Sequence, residues 1–364
     1  MPLENRALGE THNIPIKSQE VHSGKVRSVY WLAQEDSRRL IETNSPLYSC
    51  NEKAQLGVMV ISDRISAFDC NWQGEHGLSG VPGKGAALNA ISQYWFEQLE
   101  PIAGNHLLDT PHPLVWIVQR AEPIMIEAIA RQYITGSMWR GYKKGERVFG
   151  GVALPDGLEE YQRTPELLIT PTTKGIMRGI PGIDETDDVN ITREQIKKNY
   201  AAFGFKSPAD IGVYENLLRL GFREIEGRLR EIGQMFVDTK KEFGYLIDEN
   251  GFFKIGYIDE VGTPDSSRIW DAAEYKNGRI IEKSKEGFRK FLLKRFGEEI
   301  FVDSKRMAER KELARTYRVP VTTMEAVSNV YTHLAEEITG KQIQHIEDPK
   351  GEIMDVLSGY GLVK

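Results

Sequence analysis

The stretch from Met235 to Arg268, MFVDTKKEFGYLIDENGFFKIGYIDEVGTPDSSR, constrains the fold more than any other. Two runs rich in β-branched and aromatic residues flank Asn250-Gly251, and Asn-Gly in that setting is the strongest short-range hairpin signal. Side chains alternate faces along a strand, so Asp238, Lys240 and Glu242 share one face. A two-residue turn at Asn250-Gly251 pairs Glu249 with Phe252 and sets Glu242 opposite Asp259. Directly opposed like charges destabilise a sheet, so two carboxylates there imply a cation between them, and oxygen ligands suit a hard divalent ion. A wider turn, from Asp248 to Gly251, would pair Ile247 with Phe252, move Glu242 opposite Tyr257 and place the ion diagonally between strands. The competing reading of the whole cluster, Glu260 included, is a solvated charged face.

The chain around this hairpin has 364 residues, 40% hydrophobic and 27% charged, enough for two or three subdomains of an ordinary globular protein. Its net charge of −6 argues against a nucleic-acid partner. Cys50 and Cys70 are its two cysteines, too few for a disulfide framework or a cysteine zinc site. No apolar run approaches the roughly 18 residues that span a bilayer, and the N-terminus lacks the basic and apolar regions of a secretory signal. A cytoplasmic protein with no membrane partner is expected; a homo-oligomer is compatible with the sequence.

Residues 1–20 read as polar and peripheral. His22 to Trp31 reads as a turn and strand that puts Lys25 and Arg27 on one face beside Gly24, an arrangement suited to an anion or to an exposed basic edge. Residues 34–54 read as a hairpin loop. The apolar run Val58–Ile61 is a buried strand leading into Ser62-Asp63-Arg64-Ile65-Ser66-Ala67-Phe68-Asp69, where ligand groups commonly sit. Val81-Pro82-Gly83-Lys84-Gly85 opens a helix with Leu88, Ile91, Trp95 and Leu99 on its core face, and Lys84 with the free N–H groups of that helix start could hold an anion. After a strand at 116–119, Pro123 breaks the pattern. Glu127 and Arg131 then share one face of a strand, either paired with each other or with Arg131 and the Gly136-Ser137 backbone free to grip a phosphate. The loop from Gly175 to Asp188 is glycine-rich and reads as mobile. Thr192 and Gln195 fit a capping box, and Asp210 starts a helix with Leu217, Leu218, Ile225 and Leu229 inward. Residues 285–296 form a basic amphipathic helix, and Val327, Val330, Tyr331, Leu334 and Ile338 form a helical stripe in the tail.

In type and order, GKVRSVY at 24–30, ISDRISAFD at 61–69, PGKG at 82–85, ARQYITGSMW at 130–139, TPTTK at 170–174, DTKKEFG at 238–244 and DEVGTPDSSR at 259–268 resemble the SAICAR synthetase family. The resemblance covers about residues 20–300. It implies an α+β fold with a kinase-like nucleotide cleft between two subdomains containing antiparallel sheets. A β-rich nucleotide-binding subdomain is expected at 1–120, a substrate and metal subdomain at 121–300, and a helical extension at 301–364. It also implies an ATP-dependent ligase of purine biosynthesis, joining L-aspartate to carboxyaminoimidazole ribonucleotide (CAIR), with ATP and Mg²⁺ in the cleft. Carried over by position, Lys25 and Arg27 lie under the ATP phosphates, with Glu127 near the nucleoside. Glu242 and Asp259 are the magnesium carboxylates, and Lys240 serves the phosphate in transfer. Arg131, Ser137 and Arg268 take the ribonucleotide. Asp63, Ser66 and Asp69 line the substrate loop, and Lys84 is the candidate for the aspartate carboxylate.

Three departures from the family pattern stand out. Asp187 occupies the place of a usual histidine before Asp188, Ser28 replaces a common acidic residue, and the tail beyond about residue 300 is longer than in compact members. The first leaves a catalytically impaired nucleotide-binding homologue as the alternative reading.

Overall fold

The computed structural model describes residues 7–364, Ser304 by its backbone alone. The first of its two large sheets holds Glu20–Ser23 (β1), Arg27–Trp31 (β2), Leu56–Ile61 (β3), Leu107–His112 (β4) and Val115–Gln119 (β5), ordered β1-β2-β3-β5-β4. β3 and β5 are apolar runs, LGVMVI and VWIVQ, buried from end to end, as strands covered on both faces must be. Lys84–Leu99 (α1) sends Leu88, Ile91, Trp95 and Leu99 into the same core, as their spacing predicts.

The N-terminal segment departs from its polar reading. Positions 1–6 lie outside the described residues, but Leu8, Ile14 and Ile16 are buried in the main core, and Ile16 bridges to Val363. Isolated apolar residues in a polar stretch give no periodic signal, so this packing leaves little trace in sequence. Residues 34–54 likewise hold a helix, Gln34–Thr43, in place of the expected hairpin loop. Only Leu40 and Ile41 anchor its apolar face, and the remaining positions are polar.

After Gln119 the chain changes sheets, since Glu122–Pro123 already pairs with the longest strand of the second. The second sheet contains Ile126–Tyr133 (β6), Arg163–Ile169 (β7), Gln234–Ile247 (β8), Phe253–Ile258 (β9) and Ser267–Asp271 (β10). Its path runs β7-β6-β8-β9, with β10 also on β8. A short helix, Gly136–Lys143 (α2), follows β6. The long helix Asp210–Glu231 (α3) buries Leu217, Leu218, Ile225 and Leu229 and delivers the chain to β8. The capping box at Thr192 and Gln195 forms reciprocally. The glycine-rich loop is anchored, because Met177, Ile180 and Ile183 all enter the main core.

The β8–β9 hairpin forms in neither expected register. Ile247 pairs with Phe253 and Glu242 with Ile258. Gly251 N–H donates to the Asp248 carbonyl and Asp248 N–H to the Phe252 carbonyl, both at 2.9 Å, which leaves a three-residue loop. Gly251 has φ +85°, so this is a turn followed by a left-handed residue. The Asp248 carboxylate accepts the N–H groups of Asn250 and Phe252, which fixes the longer loop. Asp259 falls one residue past β9, at φ +62°, where the backbone leaves the sheet.

The tail supplies Glu286–Phe296 (α4), Met307–Thr316 (α5), Val321–Thr339 (α6) and Pro349–Gly359 (α7). α6 packs along α1 and sends Tyr331, Leu334, Ala335 and Ile338 into the main core. α4 and α5 instead join Trp72 of the 65–74 hairpin in a second cluster through Phe288, Leu292 and Ala314. Among the described residues, no helix is long and apolar enough to cross a membrane.

Candidate active site

β8 and β6 carry a charged face built by their register. Asp238 pairs directly with Arg131, whose Nη1 lies 3.5 Å from the carboxylate, and Arg268 of β10 closes on the same group. Two residues on, and therefore on the same face, Lys240 donates to Glu127, which also accepts from the Thr172 hydroxyl at 3.3 Å. Two further, Glu242 receives the ammonium of Lys174. Glu127 and Arg131 thus pair across the sheet and not with each other.

The first sheet meets this face at its far end. Arg27 sits 3.4 Å from Asp259 and 3.1 Å from Glu260, and Thr263 donates to Glu260 at 2.7 Å. Lys25 reaches Asp69 at 2.6 Å. Although Glu242 is not opposite Asp259 in register, the two carboxylates feel each other. Glu242 is pushed up by burial and then by the Asp259 charge, against Lys174. Burial alone would raise Asp259 too, but Arg27 and Lys174 outweigh it and hold that carboxyl below its ordinary range. Lys240 is held above its ordinary value, because Glu127 more than reverses the effect of burial. Asp188 is pushed up to about 6 by burial, Glu127 and Asp187.

At the other end of the face lies an arginine corner. Arg131 and Arg268 share one carboxylate, and α2 begins beside them with Ser137 exposed in its first turn. Gly136 has φ +57°, and a Cβ there would lie 2.5 Å from the Arg268 guanidinium, so the approach of helix start to arginine requires glycine. Thr135 makes no side-chain cap, which leaves the first N–H groups of α2 free for an anion.

Two expected site residues face inward. Lys84 is wholly buried, with its Nζ 2.8 Å from Asp265, so it is not placed to receive a ligand carboxylate. Asp63 is buried and accepts the N–H groups of Leu8 and Gly85, both at 2.8 Å; it joins the N-terminal segment to α1 rather than lining a substrate loop. Ser66 is buried in the strand Ile65–Ala67, whereas Asp69 is exposed at the turn that follows. Three residues join the site that motif spacing did not single out. Lys174 closes TPTTK, and its position after a strand end was the available signal. Asp188, rather than Asp187, is the acidic group that reaches Glu127 and Lys240. His106 is buried, pushed down to about 4 by its burial against the pull of Asp259, and nothing in its local sequence marks it.

A seam of alternating cations and carboxylates between two sheets, ending in an arginine corner, is the mark of an α+β protein that handles anionic ligands. The SAICAR synthetase family model matches residues 44–300, and the chain belongs to that family. It is 56% identical to the phosphoribosylaminoimidazole-succinocarboxamide synthase of Vibrio vulnificus (strain CMCP6) over 100% of both chains. The enzyme of the same name from Psychromonas ingrahamii is 55% identical, again over 100% of each. SAICAR-synthase from Saccharomyces cerevisiae, solved complexed with SAICAR, aligns over 91% of this chain and 100% of its own, with a TM-score of 0.63 and 26% identity. SAICAR synthetase from Pyrococcus horikoshii OT3 shares the fold, with a TM-score of 0.52 and 21% identity over 79% of this chain and 95% of its own.

Proposed function

We propose that the chain is an ATP-dependent ligase that joins the amine of L-aspartate to the carboxylate of CAIR, giving SAICAR, ADP and phosphate. The observation that carries this reading is the single face of β8. Asp238, with its two arginines, and Glu242, beside Asp259 and Arg27, lie four residues apart, roughly 13 Å along a strand. A ribonucleotide laid along that face would put its phosphate in the arginine corner and its carboxylate at the Lys240–Glu242 end. Full-length relatives carrying the synthase name support the same assignment.

A carboxylate is a poor electrophile, so one of its oxygens first attacks the γ-phosphorus of ATP and ADP leaves. The aspartate amine then attacks the activated carbonyl, phosphate departs, and the amine loses its proton. Such transfer depends on positioning and charge neutralisation. Arg131, Arg268 and Ser137 hold the ribonucleotide phosphate. Lys25 and Arg27 face the ATP phosphates, and Lys174 and Lys240 neutralise the phosphoryl group in flight. Glu242 and Asp259 would hold Mg²⁺. Their chemistry fits: both are hard oxygen donors, the kind that suits a hard divalent ion, and the Asp259 charge bears on Glu242. When bound, Mg²⁺ supplies charge neutralisation at the phosphates.

The test is ADP and SAICAR formation with Mg-ATP, CAIR and L-aspartate. ATP turnover indifferent to either co-substrate overturns the reading. Glu242→Gln is expected to lower kcat by about 10²–10³-fold, roughly 3–4 kcal/mol of transition-state stabilisation, and unchanged turnover in that variant removes the metal assignment.

A further inference from the structure

The loop from Asp259 to Arg268 joins both ends of the site. It begins at the carboxylate beside Glu242 and ends at the arginine that shares Asp238. Its ends are tied to neighbouring strands: Arg27 holds Asp259 and Glu260, and Thr239 and Ser267 exchange a hydroxyl contact of 2.9 Å. Its middle is tied to something else. The Asp265 side chain turns inward, where Lys84 of α1 donates to Oδ2 at 2.8 Å and the Tyr331 hydroxyl of α6 donates to Oδ1 at 2.6 Å. Lys84 and Tyr331 are completely buried, and the Lys84 ammonium lies 5.4 Å from the Tyr331 ring centre. α6 is itself docked on the start of α1, where Ser328 donates to the Pro82 carbonyl at 2.6 Å. Tyr331 lies beyond residue 300, where the family match ends.

We propose that Tyr331 is a positioning residue: through Asp265 and Lys84 it holds the 259–268 loop, and so Asp259 and Arg268 together, in fixed relation to the first sheet. The helical extension is then a working part of the cleft and not an added cover. Charge supports the arrangement. Burial opposes ionisation of Asp265, but Lys285, whose Nζ lies 3.8 Å from Oδ2, Lys84 and the Tyr331 hydrogen bond hold its carboxyl far below the ordinary range, so it stays an anion that these three groups share. This inference rests on the proposed ligase reading for its kinetic consequence, though not for its structural one.

Tyr331→Phe keeps the ring over Lys84 and removes only the donor. It should be compared with Ile338→Val, which loosens the same helix away from Asp265. Hydrogen exchange is expected to speed up at residues 259–268 in Tyr331→Phe and not in Ile338→Val. At matched loss of Tm, kcat/KM for CAIR is expected to fall at least tenfold and the Mg²⁺ requirement to rise in the first variant alone. Unaltered exchange in that loop, or equal kinetic loss in both variants, overturns the proposal. If Tyr331→Phe does not fold, Asp265→Ala, which removes the acceptor of the Tyr331 hydroxyl, is read the same way. A wild-type protein that makes no SAICAR would count against the ligase reading, while the exchange result would still decide the role of Tyr331.

Discussion

Asp63 is a carboxylate whose whole environment is backbone N–H groups and burial, with Lys84 nearby. Burial pushes it up to about 6, against the partial offset of the two N–H bonds and the lysine charge. Between about pH 4 and 6 the folded state therefore binds more protons than the unfolded chain, so stability falls as pH rises through that window. The full cost, about 3 kcal/mol, is present above it. Urea unfolding of the wild type and Asp63→Asn from pH 4 to 7 checks this: the difference should shift in favour of the variant by that amount on going up in pH. In the sequence, Asp63 and Lys84 look like ligand groups because polar residues at a strand end and a helix start usually are. What turns them inward, the amides of Leu8 and Gly85 for one and Asp265 for the other, is contributed from far along the chain and has no local signature. Lys240, Glu242 and Asp238 were legible as one face, because the period of a strand is set by its geometry alone.

Two of the three glycines in α3, Gly221 and Gly227, should respond oppositely to replacement. A Cβ on Gly221 would lie 2.4 Å from the Tyr257 hydroxyl and 2.9 Å from the Lys241 ammonium, and that hydroxyl already donates to the Leu217 carbonyl at 2.8 Å. Gly227 has nothing within 4 Å of that position. Helix propensity favours alanine at both by about 1 kcal/mol. Gly221→Ala should nevertheless lose about 1–3 kcal/mol by overpacking, and Gly227→Ala should gain about 0.5–1 kcal/mol; denaturant midpoints of the two variants decide. The β8–β9 hairpin shows where element-level reading stops. Asn250-Gly251 and the alternating pattern locate it, but the register depends on which N–H groups Asp248 captures. That is a difference of one residue with no effect on composition, and it alone removed the direct Glu242–Asp259 pairing.

In the whole molecule, the extension and the two sheets share one core. α6 contributes Tyr331, Leu334, Ala335 and Ile338 to the cluster that holds Leu88 and Ile91 of α1. Each large side chain of this kind stabilises by roughly 1.5–3 kcal/mol when buried, against a total stability of about 5–15 kcal/mol for a domain. A chain ending at Val302 is therefore expected to be recovered only as aggregate; a soluble product with native near-ultraviolet circular dichroism would contradict this. The helical stripe at 327–338 was readable from its spacing. Its partner was not, since an amphipathic helix states that it needs a cover without saying which surface supplies it.

The pairing of Ile16 with Val363, reinforced by Lys17 N–H to the Leu362 carbonyl and Lys364 N–H to the Pro15 carbonyl, both at 2.7–2.9 Å, sets an order on biogenesis. Synthesis runs from residue 16 to residue 363 before that contact can close. The strands at 27–61 are made early, but part of what packs on them is made much later, so until then that apolar surface of the first sheet has no such cover. Long-range closure of this kind slows folding and exposes intermediates to aggregation. Nascent chains stalled before α6 should therefore be the species that molecular chaperones hold longest.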